Sequence, residues 1–403
     1  MRIEDFSPFP LSFRLTSVIY QGADLIFKCV LRSEKVNFVY EKFSLIRSRP
    51  LSGSMLLVLL GLGLSSGGIG LDVMGNRLFS PQSLFLPFIV SALVASGLGF
   101  WVIPMLQRLK AGQVIREDGP QEHLKKAGTP TMGGIFFVPV GVAIAIFWSG
   151  FNLDVLGVST LTLAYLFIGW LDDWQILRQK SNKGISPRMK LGLQIIFAAL
   201  FCVWMLFHEP VISTSIAFPL GWALPLGFLF WLLAGFVLVA ESNATNITDG
   251  VDGLMGGLGA IGFLALGEAV ALKSPELMIF CACMSGACLG FVSHNRNPAR
   301  VFMGDTGSLA LGGALGAIAL LTNNLWVLLL ISGIFLIETL SVIAQVGYYK
   351  ATKNPDGVGK RLFKMAPFHH HLELSGWKET QVVGTFYLIN SILAVLGILT
   401  MRG

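Results

Sequence analysis

Residues 85–106 read FLPFIVSALVASGLGFWVIPML, twenty-two positions without one Asp, Glu, Lys or Arg. An α-helix rises about 1.5 Å per residue, so a run of this length covers the roughly 30 Å of hydrocarbon in a bilayer. Lipid offers the backbone no hydrogen-bond partner, and a helix satisfies its own polar groups within the segment. The stretch therefore predicts a membrane-spanning helix, and the whole chain repeats the pattern. Of its 403 residues, 54% are hydrophobic and only 13% charged, about half the charged fraction of a soluble domain. An ordinary soluble fold is excluded.

Working outward from 85–106, apolar runs predict helices at 51–71, 85–106, 133–149, 155–171, 191–207, 222–240, 254–272, 277–292, 308–322, 325–347 and 381–400. The expected fold is an all-α polytopic membrane protein with about 10–11 transmembrane helices and the lipid bilayer as its solvent. The run at 51–71 is the most dilute, because six glycines interrupt it, and a re-entrant or interfacial course competes with a crossing. Cys29, Cys202, Cys281, Cys283 and Cys288 lie in apolar surroundings without His or acid at metal-ligand spacing, which predicts small buried apolar residues. No cleavable leader is evident in residues 1–50, where charges of both signs are mixed throughout.

Basic residues flanking membrane helices stay preferentially in the cytoplasm. One set of connections holds Arg108, Lys110, Arg116, Lys125, Lys126, Arg178, Lys180, Lys183, Arg188, Lys190, Arg296, Arg300 and the Lys- and Arg-rich stretch 348–380, whereas the other set holds only Arg77, Lys273 and Arg402. The first set is thus expected inside, and the long loops there are where chemistry is expected.

Those loops carry the acids. Asp172 and Asp173 close an apolar helix at the end where its dipole disfavours negative charge, so a cation or a substrate is expected beside them. Adjacent helical residues diverge by about 100°, so one of the two is expected to face a shared site. Asn243, Asn246, Asp249 and Asp252 recur at steps of three and, if helical, form a continuous polar wall; Gly250 and Gly253 allow close backbone approach. Asp252 as a helix cap is the simpler reading of that turn, and a cap is the simpler reading of Asp305 as well. Topology nevertheless places Asp172, Asp173, Asp249, Asp252 and Asp305 on one membrane face. Five converging acids repel one another unless a cation or lysines intervene, and carboxylates with phosphate and water suit Mg²⁺. Lys126, Lys183 and Lys190 on the same face suit phosphate oxygens. His369, His370 and His371 form a run whose side chains diverge, which favours nucleotide or phosphate contact over zinc.

Read together, Gly128-Thr129-Pro130-Thr131-Met132-Gly133-Gly134, Asp172-Asp173, the Asn243 to Leu254 segment, Val301-Phe302-Met303-Gly304-Asp305-Thr306-Gly307-Ser308 and Pro367-Phe368-His369-His370-His371-Leu372-Glu373 resemble the polyprenyl-phosphate N-acetylhexosamine-1-phosphate transferase superfamily, and within it the phospho-N-acetylmuramoyl-pentapeptide transferase branch. The resemblance spans roughly residues 85–400. It implies a bacterial inner-membrane enzyme that transfers phospho-N-acetylmuramoyl-pentapeptide from its UDP-linked form to undecaprenyl phosphate, giving lipid I and UMP for peptidoglycan. It also implies dependence on Mg²⁺, with Asp305 as the metal ligand and Asp172, Asp173 and Asp305 as the catalytic acids. It places the uracil near Asp249, Gly250, Asp252 and Phe302, counts Lys126, Asn243, Asn246 and Asn295 among the functional positions, and sets the histidines against the nucleotide. Trp174 stands where the branch commonly has tyrosine, and Ile247 and Val251 where it has leucine.

Direct attack of the lipid phosphate on the β-phosphorus, with Asp172 assisting deprotonation, and a covalent phospho-aspartyl route are both compatible with these residues. The nearest alternative enzyme uses UDP-N-acetylglucosamine or a related sugar with the same acids. An ion-coupled transporter is the alternative of another class, because Glu268 and Glu338 fall in apolar segments; transport, however, needs polar groups near the midplane. A homodimer is compatible with the reading, and no nucleic-acid partner is expected. The chain divides into an N-terminal extension at 1–50, expected to be cytoplasmic because Arg47 and Arg49 flank the first helix, an added helix and external loop at 51–84, and a ten-helix transferase domain at 85–403.

Overall fold

In a computed structural model, residues 51–78, 80–109, 126, 128–179, 184–208 and 214–402 are described. The reading of 1–50 and the assignment of Lys183 lie outside the described residues. The helices are α1 (Gly53–Met74), α2 (Phe85–Arg108), α3 (Gly134–Trp148), α4 (Leu153–Gln179), α5 (Pro187–His208), α6 (Leu229–Thr248), α7 (Leu254–Val270), α8 (Pro275–Asn295), α9 (Gly304–Leu321), α10 (Leu325–Ile331), α11 (Gly333–Ala351), α12 (Phe368–Glu373) and α13 (Glu379–Arg402). Eight are long and apolar enough to cross a membrane; α10 and α11 together make a further span bent by 70°, and α3 and α7 are shorter apolar helices. The protein is an all-α multi-pass membrane protein.

Each predicted run is helical, and the departures have local causes. The run expected at 222–240 begins only at Leu229. Its first residues instead form a hairpin, β1 (Ser215–Ala217) antiparallel to β2 (Ala223–Pro225) with Ile216 opposite Leu224, because Gly221 and Gly227 adopt positive φ and Pro225 donates no N–H. The run at 325–347 breaks at Ser332, whose hydroxyl donates to Glu241 Oε1 on α6 at 2.5 Å. The dilute run at 51–71 is one continuous 22-residue helix, about 33 Å long. Leu56, Leu60, Leu64, Gly68 and Asp72 form its buried stripe, and the faces bearing Met55, Val58 and Leu62 are exposed.

The bundle is built around α8 and α9, 89% and 83% buried, with α7 almost wholly enclosed between neighbours. Cys202, Cys281, Cys283 and Cys288 are buried free thiols, as expected. At one end of the bundle Asp72 accepts hydrogen bonds from Leu84 N at 2.9 Å, Phe85 N at 3.0 Å and Ser83 Oγ at 2.5 Å, capping α2. Arg77 lies 3.5 Å from Asp72 and donates to Glu268 at 2.6 Å. Glu268 thus belongs to a structural ion pair rather than to an ion path.

Candidate functional site

The other end of the bundle gathers the C-terminal ends of α4, α6 and α8 and the N-terminal ends of α5, α7, α9 and α13. Helix α4 continues to Gln179, so Asp172 and Asp173 lie within it rather than closing it. Their side chains part. Asp172 Oδ1 accepts from Ile185 N at 3.0 Å, and its carboxyl is within hydrogen-bonding reach of Asp305. Asp173 is buried and accepts from Thr306 N at 3.0 Å, Thr306 Oγ1 at 2.6 Å and Asp305 N at 3.3 Å. It caps α9 from a neighbouring helix, and its negative charge complements the positive end of the α9 dipole. The approach requires Gly169, since a Cβ there would overlap the Asp305 carbonyl. Asp305 is therefore not the cap of its own helix.

Asp305 stands in the first turn of α9 with its carboxylate half-buried. Lys190, in the first turn of α5, pairs with it, and Asn246 Nδ2 donates to its Oδ1 at 2.7 Å and to Ser308 Oγ at 2.9 Å. Asn243, one turn back on α6, donates to Gln194 Oε1 at 3.0 Å. Gln194 escaped the sequence reading, although it is a lone amide within an apolar run. Asp249, just past α6, is pushed up to about 8 by burial and then by the carboxylates of Asp305 and Asp173. A carboxyl raised in the folded state stabilises the fold fully below its unfolded value and loses that contribution as pH rises through about 8. The thermal midpoint of the ligand-free protein is accordingly expected to fall between pH 5 and 8, and Asp249→Asn to flatten that slope in a pH-resolved melting series.

The expected polar wall stops at Asp249. The chain turns there, and Asp252 enters a second network, where it caps nothing. Lys126 Nζ lies 2.7 Å from Asp252 and 2.6 Å from Glu379. Ala299 N donates to Asp252 Oδ2 at 2.9 Å, and Asn297 donates to Glu379 at 2.7 Å and to Asp252 at 3.2 Å. Burial alone would lower Lys126, but the carboxylates of Glu379 and Asp252 outweigh it and hold the ammonium above its ordinary value. Asn295 spends both ends of its amide on backbone, accepting from Gly253 N at 2.9 Å and donating to Val301 O at 2.8 Å. Phe302 N donates to Pro130 O, and Gly133 N donates to Phe302 O, each at 2.8 Å, so the 128–134 segment is stitched to 301–303. Glu379 and Asn297 carried no motif and were not legible in the sequence.

The three histidines do diverge. His369 is fully buried, with Nδ1 3.0 Å from Glu338 and its ring against Gly250. His370 Nδ1 lies 2.8 Å from Glu373. His371 Nδ1 accepts from Lys364 N at 3.2 Å and its ring stacks on Phe368; burial and Lys364 push it down. Glu338 supports this segment, as a site-supporting residue would.

One bundle end thus holds two adjoining sets of groups, an oxygen-rich set with one lysine (Asp172, Asp305, Asn246, Lys190) and a charge-matched set with Lys126 at its centre. The arrangement suits phosphate chemistry beside an apolar bundle. A family model described as Glycosyl transferase family 4 matches residues 155–323, and the phospho-N-acetylmuramoyl-pentapeptide-transferase signature 1 matches residues 126–138. A phospho-N-acetylmuramoyl-pentapeptide-transferase from Nostoc punctiforme is 67% identical over 348 residues, 86% of this chain and 96% of the relative. Those from Trichormus variabilis and a Synechocystis species are 66% identical over 348 residues (86% of this chain, 95% of the relative) and 61% identical over 350 (87% and 96%). A match of 348 residues does not fit within positions 85–403, so the similarity reaches back into the 1–84 stretch, further than the motifs indicated.

Proposed function

The chain belongs to the phospho-N-acetylmuramoyl-pentapeptide-transferase family, and from that premise we propose that it transfers phospho-N-acetylmuramoyl-pentapeptide from the UDP-linked donor to undecaprenyl phosphate, yielding lipid I and UMP. The observation that carries the reading beyond the family is the meeting of Asp172, Asp305, Asn246 and Lys190 at one bundle end, where a membrane-held acceptor and a soluble donor could both arrive.

Both substrates bring anionic phosphate, so the protein must offset charge and align oxygens rather than supply new covalent chemistry. Asp172 is the base that takes the acceptor proton in the direct route. Lys190, now held by Asp305, is the point charge for a phosphate oxygen. Asp173 acts earlier, by fixing the first turn of α9 and hence Asp305. The donor set fits Mg²⁺: Asp305 offers a half-buried carboxylate with the Asn246 side chain beside it, and Mg²⁺ takes one or two carboxylates together with substrate phosphates, so Asp305 would hold the ion while the facing Asp172 stays free as the base. When bound there, the ion would supply charge neutralisation for the departing UMP. Lys126, Asp249, Gly250, Asp252 and Phe302 form the nucleotide side of the site in this reading.

UMP release by the purified protein tests it, with the muramoyl-pentapeptide donor expected to be used and UDP-N-acetylglucosamine little used; the reverse preference would assign the sister reaction. We further propose an inner-membrane location with the acidic end in the cytoplasm. The turn between α7 and α8 exposes Leu272 at 97% and lies at the opposite end. A cysteine at Leu272 should react with an impermeant thiol reagent in cells whose outer membrane has been permeabilised, whereas one at Ser375 should react only after lysis.

A further inference from the structure

We propose that Asn297 is a positioning residue for the nucleotide side of the site and that the first turn of α1, at Gly53, sets its place, so that a helix outside the family's motifs takes part in donor binding. The inference deepens the functional reading above and rests on it for the nucleotide.

Asn297 joins the two acids that hold Lys126. Its Nδ2 donates to Glu379 Oε2 at 2.7 Å and to Asp252 Oδ2 at 3.2 Å. Glu379 Oε1 accepts from Lys126 Nζ and from Asp252 N, each at 2.6 Å, and Asp252 Oδ1 accepts from Lys126 at 2.7 Å. Two carboxylates therefore meet around one ammonium, and the amide of Asn297 gives each of them a further hydrogen without adding charge. Lys126, the turn after α6 and the start of α13 are far apart in sequence. The 295–299 segment closes the set from the remaining side, since Ala299 N also donates to Asp252.

The backbone of Asn297 lies against α1. A Cβ at Gly53 would overlap the Asn297 carbonyl oxygen, so the first turn of α1 reaches that peptide only because position 53 has no side chain. Arg296 Nε donates to Ser54 Oγ at 3.2 Å on the same turn. Leu56 follows, buried against α13, where a Cβ at Gly384 would stand 3.1 Å from its Cδ2. The turn is thus wedged between the 296–297 peptide and the helix that carries Glu379. The other glycines of α1 are not pressed in this way. At Gly61, Gly67 and Gly68 an added Cβ would make ordinary contacts, and at Gly63 and Gly70 it would meet nothing within 4 Å. Close approach to another backbone is confined to the glycine beside the site.

The test uses the full chain in detergent, with UMP affinity by calorimetry, separate KM values for UDP-linked donor and polyprenyl phosphate from UMP release, and thermal midpoints. Asn297→Ala should raise the UMP Kd and the donor KM about fivefold with the acceptor KM unchanged, less than a lost charged hydrogen bond at the ligand itself, because Ala299 N and Lys126 still hold Asp252. Asn297→Asp has the same shape but no N–H to donate, so it should be at least as weak, which a packing role would not produce. Gly53→Ala should raise the same two constants about threefold as the Asn297 peptide shifts, whereas Gly63→Ala on the same helix should change neither. Added to Asn297→Ala, it should have no further effect on the UMP Kd, since the side chain whose place it sets is gone. Leu56→Ala loosens the same turn without a clash and should act in the same direction, so it replaces Gly53→Ala if that variant does not fold.

Unchanged UMP affinity in Asn297→Ala, or parent-like affinity in Asn297→Asp, overturns the role of Asn297. Independent, additive effects of Gly53→Ala and Asn297→Ala overturn the role of α1, as does a lowered midpoint in Gly53→Ala with UMP affinity unchanged. A parallel rise in both KM values marks a purely structural role and overturns the proposal as well. A parent protein that binds UMP but releases none from the muramoyl-pentapeptide donor counts against the functional reading, while the calorimetry still decides the roles of Asn297 and Gly53.

Discussion

Asp305→Ala is expected to lower UMP release by at least about 10²-fold at saturating substrates, the scale of losing one electrostatic contribution to a charged transition state. The carboxylate is held by Lys190 and Asn246, faces Asp172, and lies where the donor phosphates are proposed to bind. Its removal frees Lys190 but leaves the α9 cap intact, because Asp173 bonds to the backbone of residues 305 and 306. The variant should therefore fold, with a melting midpoint near that of the parent. Any remaining activity should require more Mg²⁺. Near-normal turnover at saturating Mg²⁺ would remove Asp305 from the proposed role.

The second large effect separates the two adjacent aspartates. Asp172→Asn should also cost about 10²-fold in turnover, the contribution of one acid–base group, while stability changes little, because the amide oxygen can still accept from Ile185 N. Asp173→Ala should instead destabilise. It strands the Thr306 amide, the Thr306 hydroxyl and the Asp305 amide at a buried helix start, and orphaned buried donors cost about 1–3 kcal/mol each. Relief of repulsion with Asp305 and Asp249 offsets part of that, which leaves a net loss of about 3 kcal/mol once the cap is counted. Melting curves and turnover measured on both variants decide the matter: equal midpoints would remove the capping role from Asp173.

Much was legible in the chain alone. Long charge-free runs such as 85–106 demand helices wherever lipid is the solvent, since no other local structure satisfies the backbone there, and all eleven runs are helical. The acids were legible as a group because each falls near a helix end and the alternation of crossings brings those ends to one side. Short aspartate-bearing motifs identified the family for the same reason, since they carry chemistry that apolar helices do not; α1, whose one acid, Asp72, caps α2 at the opposite end of the bundle, did not register as part of the family match.

Tertiary structure decided how the polar residues divide. Sequence spacing placed Asn243, Asn246, Asp249 and Asp252 on one wall, but the chain turns after Asp249 and hands Asp252 to Lys126 and Glu379, the latter 127 positions away. Asp172 and Asp173 are neighbours in sequence, yet one faces Asp305 and the other caps α9, a distinction set by where α9 packs against Gly169. The pairing of Glu338 with His369 joins a bent membrane helix to the short helix α12. Local sequence determines helices because their hydrogen bonds are local; partners for buried charges are chosen by whichever helix ends meet, and that follows from packing.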